Sequence, residues 1–215
     1  MLEQAFAVGS IATLALASLV ASNFMYDRGV PSTQSRYVAP VLGGAAFLMA
    51  VLLLDAWTAT ALSGALALGI LVLRVGFRRS LRGVRGNLKS QAWAEVTYAT
   101  AGAASLAIGW TWLGDKWLAF LPIAFMAWGD SAAGLLRATI WSRNVGSLWP
   151  SLTMLGVCLA VAALFQPYWI SALGALVATG AERRRPMVLI IWDDNLHVVA
   201  MSLAVMGAVD KVPGI

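Results

Sequence analysis

Charged side chains are scarce: 12% of the 215 residues are Asp, Glu, Lys or Arg, 60% are hydrophobic, and the mean hydropathy is +0.78. That balance excludes an ordinary soluble domain. Long polar stretches are lacking too. The longest, Arg74 to Gln91, covers 18 residues, too few for an extramembrane domain with its own core. The single cysteine, Cys158, excludes an intrachain disulfide, and its apolar neighbourhood argues for packing rather than a catalytic thiol. The single histidine, His197, is read as a packing or hydrogen-bonding residue. No aromatic-and-basic recognition module accompanies the pI near 9.9, so nucleic acid is not an expected partner. No basic segment precedes the first apolar run, which is expected to be a membrane helix and not a cleaved leader.

What the chain has in abundance is apolar runs. Eight are predicted to be helices: Ala5–Ser22, Val38–Leu54, Trp57–Leu73, Ala92–Leu113, Trp117–Leu136, Leu148–Phe165, Tyr168–Ala181 and Met187–Val209. Most match the length that crosses a hydrocarbon core of about 30 Å; Tyr168–Ala181 is short and is expected to tilt, extend or re-enter. The expected fold is an all-α polytopic transmembrane bundle of about eight spans, forming a single integral membrane domain over residues 1–215. Orientation follows from the basic residues, because short Lys/Arg-rich loops stay in the cytoplasm. Alternation through eight spans puts 13 of the 15 inside and only Lys116 and Lys211 outside, with both termini extracytoplasmic. The expected location is the cell membrane, with the chemistry on its cytoplasmic face. Residues 74–91, with six positive charges and interleaved apolar residues, form a basic cytoplasmic loop and a possible interfacial helix. It reads either as an anchor on anionic membrane lipid or as a phosphate clamp that includes Lys89.

Acids carry more information than bases in such a chain. Glu3, Asp55, Asp115 and Asp210 fall at outer loops and need only be solvated. Asp130 falls inside a predicted span, six residues from Leu136 and hence about 9 Å from the helix end. A carboxylate at that depth costs on the order of 3 kcal/mol or more without a cavity or partner, and such acids are functional by default. Its setting, Met126-Ala-Trp-Gly-Asp-Ser-Ala-Ala-Gly134, is rich in small residues that allow close approach. The competing reading is a carboxylate neutralised by a proton or an arginine. Asp193, Asp194 and Asn195 supply hard oxygen donors suited to Mg²⁺ with a polyphosphate, against ordinary helix capping. Glu95 opens a predicted helix, where the dipole favours an acid, but shares the side of the aspartates and arginines.

Gly129-Asp130-Ser131-Ala132-Ala133, Asp193-Asp194-Asn195-Leu196 and Glu95 with Tyr98 make the chain resemble the polyprenol kinase group, which includes phytol, farnesol and dolichol kinases and is related to membrane CDP-lipid synthases. Arg143-Asn-Val-Gly146-Ser147 is similar to the group's basic segment, and Ser35-Arg36 to its early basic motif. The resemblance implies phosphoryl transfer from a nucleoside triphosphate, often CTP, to a long-chain isoprenoid alcohol. On that reading Asp130, Glu95 and Asp194 are the catalytic residues. Asp130, Asp193 and Asp194 hold Mg²⁺, while Arg36, Lys89, Arg137, Arg143, Gly146, Ser147 and Asn195 meet nucleotide and phosphate. Either Glu95 or one of the aspartates accepts the alcohol proton. Two alternatives stay open: a cytidylyltransferase making a CDP-lipid, and a small transporter or scaffold in which Asp130 carries protons or ions. The absence of an evident inverted repeat weighs against transport.

Overall fold

In the computed structural model the described residues are 2–76, 82–84, 93–140, 147–183 and 194–211, all but the side chain of Asp194, and they contain helices and no strand. The helices are α1 (Leu2–Asp27), a single turn α2 (Ser32–Ser35), α3 (Val38–Leu53), α4 (Ala56–Gly76), α5 (Ala94–Ser105), α6 (Lys116–Ala124), α7 (Ser131–Thr139), α8 (Trp149–Ala162), α9 (Tyr168–Arg183) and α10 (Asp194–Asp210). Four stretches are long and apolar enough to cross a membrane: Leu2–Asp27, Ser32–Leu53, Ala56–Gly76 and Lys116–Thr139. Their outward faces are greasy: Phe6, Val20, Trp57, Leu68 and Val75 are all more than half exposed. In water such a surface would aggregate, whereas lipid solvates it.

Within lipid, apolar side chains gain little by leaving hydrocarbon, so helices associate through close packing and small residues. That is the device used throughout. The α6 helix runs through the centre, with Ala119, Phe120, Ile123 and Phe125 fully buried. Gly109 lets α5 approach α6 so closely that a Cβ would stand 2.6 Å from the Ala119 Cα, and Ser105 Oγ donates to the Ala119 carbonyl at 2.7 Å. Gly129 accommodates the Cys158 thiol of α8, and Gly174 of α9 accommodates Met206 of α10. Cys158 is fully buried, as a packing residue should be.

Two helices widen into π-helical turns: α5 continues as Leu106–Trp112, and α6 joins α7 through Phe125–Asp130. In the first, the Leu113 amide donates five residues back to the Ile108 carbonyl. The second follows Pro122, which has no amide proton and disturbs the i→i+4 ladder. A wide turn offsets the face presented by the residues after it, which is why helical periodicity could not tell which way Asp130 points. The helix also continues to Thr139 instead of ending near Leu136. Asp130 therefore lies about 13 Å from its helix end, not 9 Å.

Tyr168–Arg183 is a regular helix of 16 residues, two longer at its C-terminus than the predicted run. Arg74 corrects the proposed loop boundary: it belongs to the last turn of α4 and is buried, so the basic segment begins after Gly76. Within that segment, residues 82–84 form a turn docked on the end of α1 and on α2. The Gly83 amide donates to Asn23 Oδ1 at 2.7 Å, and its carbonyl accepts from Ser22 Oγ and Ser35 Oγ, both at 2.9 Å. An interfacial helix over the rest of the segment falls outside the described residues.

Asp55 and Asp115 prove to be helix caps. Asp55 Oδ1 accepts from the Trp57 and Thr58 amides at 3.1 and 3.0 Å, and Asp115 Oδ1 from the Trp117 and Leu118 amides at 2.7 and 3.1 Å. The Thr58 hydroxyl, followed by the Thr58 amide, holds the Asp55 carboxyl below its ordinary range. If close approach of α5 to α6 organises the centre, Gly109→Ala should destabilise the fold by about 1–3 kcal/mol, because backbone must move to admit the methyl. Thermal unfolding in detergent measures this; an unchanged midpoint would show that the contact yields freely.

Candidate functional site

One pocket of about 110 Å³ is lined by α1, α3, α4, α5 and the α6–α7 helix. Its two ends differ chemically. Ile11 and Ala15 of α1, Gly43, Ala46 and Ala50 of α3 and Leu66 and Ile70 of α4 make an apolar stem. Along it the hydroxyls are Ser63 and Ser18, the latter bonded to the Ala15 carbonyl at 2.6 Å. The other end is polar and collects Arg36, Tyr37, Glu95, Asp130, Arg137 and Asn195, with Ser131 beside Asp130. Val84 of the docked turn also lines the cavity and is 5% exposed.

The polar head is assembled from distant parts of the sequence by short-range contacts. Gly43 and Gly44 let α3 lie against Tyr98 and the wide Phe125–Asp130 turn; a Cβ on Gly44 would be 2.6 Å from that of Ala127. The Trp128 indole donates to the Val41 carbonyl at 3.1 Å, and the Tyr98 hydroxyl to the Pro40 carbonyl at 2.9 Å. These bonds register α3 against the turn that carries Asp130. At Gly134, a Cβ would stand 2.3 Å from the Tyr37 ring, so only glycine lets that ring lie across α7. The Arg36 guanidinium stacks over the same ring at 4.7 Å and donates to its hydroxyl. Asn195 ties the start of α10 to α5 by donating to the Ala94 carbonyl at 3.2 Å.

Two ion pairs complete the head. Arg74 Nε lies 3.2 Å from Glu95 Oε1, both side chains almost wholly buried, with the guanidinium 5.3 Å from the centre of the Trp93 ring. Arg137 Nη2 donates to Glu182 Oε1 at 2.7 Å; Glu182 is buried, whereas Arg137 keeps 37% of its side chain exposed. A guanidinium has five donors in a planar fork, and this carboxylate contact fixes the fork's orientation.

Of the residues expected from sequence, Arg36, Glu95, Asp130, Arg137 and Asn195 line this one cavity. Ser147 does not; its Oγ accepts from the Trp149 amide at 3.3 Å at the start of α8. Lys89, Arg143, Gly146 and Asp193, and the side chain of Asp194, lie outside the described residues. Among those described, no three His, Cys, Asp or Glu side chains gather to hold a metal ion. Sequence reasoning missed Arg74 and Glu182 as partners, and Tyr37 as a wall of the site. The signal for the first two was available in principle, since a lone charge near a helix end in an apolar chain needs an opposite charge within reach.

The chain matches no protein-family model, curated protein or solved structure.

The buried Arg74–Glu95 pair generates a test. Glu95→Leu takes the carboxylate from the buried Arg74 guanidinium and should cost about 3–5 kcal/mol, whereas the double replacement of Arg74→Met with Glu95→Leu should be much less damaging than the two singles predict. Unfolding midpoints of the four proteins measure the coupling; additive effects would mean that the pair contributes nothing.

Proposed function

We propose that this protein is an integral membrane kinase that moves the terminal phosphoryl group of a nucleoside triphosphate, CTP in the first instance, to the hydroxyl of an isoprenoid alcohol. The observation that carries the reading is the two-ended cavity: an apolar stem suited to a hydrocarbon chain opens into a head where Asp130, Arg36, Arg137 and Asn195 converge. Neither end alone requires this substrate pair. Their continuity supports a lipid whose reacting hydroxyl sits beside an anion-handling site.

Phosphoryl transfer needs alignment and neutralisation of charge spreading over the phosphoryl oxygens. In the proposed step the alcohol oxygen attacks the terminal phosphorus, the bond to the bridging oxygen breaks, and the nucleoside diphosphate leaves. Asp130 receives the alcohol proton. Arg137, held by Glu182, and Arg36, held against Tyr37, orient phosphate oxygens. The pairing of Glu95 with Arg74 supports a role for Glu95 in holding the head together instead of accepting the proton. Mg²⁺ commonly takes one or two carboxylates with the remaining ligands from phosphate and water, so Asp130 would serve as one protein ligand; Asp193 and the Asp194 side chain, read as ligands from the sequence, lie outside the described residues. When bound, the ion neutralises phosphate charge.

The same proposal includes eight crossings with both termini extracytoplasmic, which puts the head at the cytoplasmic face of the cell membrane, where nucleotides are available. The basic-residue asymmetry supports it. Cysteines introduced singly at Ser80 and Ser142, in a Cys158→Ala background, should resist an impermeant reagent in intact cells, while one at Lys116 should react. Labelling at Ser80 from outside would invert the orientation.

For the chemistry, Asp130→Asn keeps the shape and removes the charge. Turnover should fall roughly 10²-fold or more with membrane insertion and thermal stability retained. The measurement is CTP- and Mg²⁺-dependent phosphorylation of isoprenoid alcohols by purified protein, with nucleotide products resolved. CDP with a phosphorylated alcohol supports the kinase; pyrophosphate with a CDP-lipid identifies a cytidylyltransferase; full activity in Asp130→Asn removes Asp130 from the mechanism.

A further inference from the structure

Head and stem together measure about 110 Å³. A cavity of about 150 Å³ holds one benzene ring, six carbons, so there is room here for roughly one isoprene unit with its hydroxyl. On the proposed reading the rest of the alcohol's chain lies elsewhere, and the helices lining the pocket decide where. They form two pairs: α1 packs against α3 and α4 against α5, whereas α4 scarcely meets α1 or α3. The pocket lies between the pairs.

On α1 the lining residues Ile11, Ala15 and Leu19 recur at every fourth position, and on α4 Ser63, Leu66 and Ile70 follow at three and four, so each set shares one face of its helix. Ala15, Leu19, Leu66 and Ile70 are only partly buried, and Leu16, Val20 and Leu71 beside them are exposed. The apolar wall of the pocket thus runs on to the lipid-facing surface along both helices. At the head end the gap is closed, because the Gly83 amide is bonded to Asn23 of α1, its carbonyl to Ser22, and Val84 lines the pocket. At the far end Ala7, Val51 and Leu54 belong to the packed core. Between these closures Ala15 and Ser63 present little bulk on either side.

We infer that the seam between α1 and α4 is a lateral portal to the bilayer: only the hydroxyl end of the alcohol enters the pocket, and its remaining isoprene units run out between these two helices into lipid. Units outside the pocket exchange one hydrocarbon surface for another and gain little, so the site selects the hydroxyl end and not the chain length. The inference rests on the proposed lipid substrate and is read by binding, apart from catalysis. Purified protein in phospholipid nanodiscs, without nucleotide, is offered a four-unit alcohol carrying a photoreactive diazirine on its second unit. Label that excess unmodified alcohol displaces should fall on α1 and α4. Alcohols of two, four, eight and eleven units, at equal mole fraction in the bilayer, should displace it within about threefold of one another. Ala15→Phe and Ser63→Phe fill the seam and should weaken labelling about tenfold, the contribution of roughly two buried methylenes, while Leu16→Phe on the lipid-facing side should leave it unchanged. If Ser63→Phe fails to fold, Ala15→Phe and the wild-type pattern still decide the matter. Displaceable label on Ala46 or Ala50 of α3 or on α8 and α9, more than tenfold preference for one length, or unchanged labelling in folded Ala15→Phe overturns the portal. The same alcohols are then given with CTP and Mg²⁺. Seam labelling without phosphorylation keeps the portal and removes the kinase; phosphorylation without displaceable label on α1 and α4 does the reverse.

Discussion

A charged group inside an apolar helical bundle must find its opposite there, since lipid offers no substitute for water. Among the described residues, Arg74 with Glu95 and Arg137 with Glu182 meet that requirement. The first pair links the end of α4 to the start of α5; the second links α7 to the end of α9. Both belong to the same end of the bundle, where Asn195 also joins α10 to α5. Polar contacts therefore gather one end of the molecule around the cavity head. Glu95 and Glu182 are buried, and removing the arginine from either would take a counter-charge from a buried carboxylate, so the geometry of the head and the integrity of the fold are not separable.

The rest of the bundle is held by shape. Gly43, Gly44, Gly109, Gly129 and Gly134 stand where a neighbouring ring, thiol or backbone occupies the space that a Cβ would need. Such contacts replace the hydrophobic driving force that a membrane interior does not supply. They also set the shape of what is left empty. Small residues along α3 withdraw from α1 and α4 and leave the apolar stem, while Gly134 admits Tyr37 and closes the head. The wide turn at Phe125–Asp130 turns Asp130 into that space. π-type turns are often found at functional sites, and here the turn and the site coincide.

Most helices were legible in the sequence because composition does the work in a membrane chain: long apolar runs punctuated by charge. Val38–Leu53 and Ala56–Gly76 begin and end within three residues of their predicted limits. Asp130 was legible too, because a single acid within an apolar run stands out on energetic grounds alone. Arg74 was misread as a loop charge, and nothing along the sequence singled out Glu182. Each is ordinary as a residue type at a helix end; what distinguishes it is a partner 21 or 45 positions away in the chain. Asp55 and Asp115 were legible only as solvated charges, although an Asp immediately before an apolar helix is also a capping signal.

The amino-acid sequence by itself determined the class of the molecule, the approximate helix limits and the singular position of Asp130, since each depends on local composition and on the cost of placing charge in hydrocarbon. It also excluded an intrachain disulfide and showed no polar stretch among these 215 residues long enough for a core of its own. Tertiary structure alone decided that Arg36, Glu95, Asp130, Arg137 and Asn195 share one cavity, that this cavity continues into an apolar stem, and that two of the charges near its head are neutralised by partners. The physical reason is that these properties depend on which helix faces meet. That choice rests on glycine contacts, a proline-adjacent wide turn and ion pairs between segments far apart in the chain, none of which leaves a periodic signal along it.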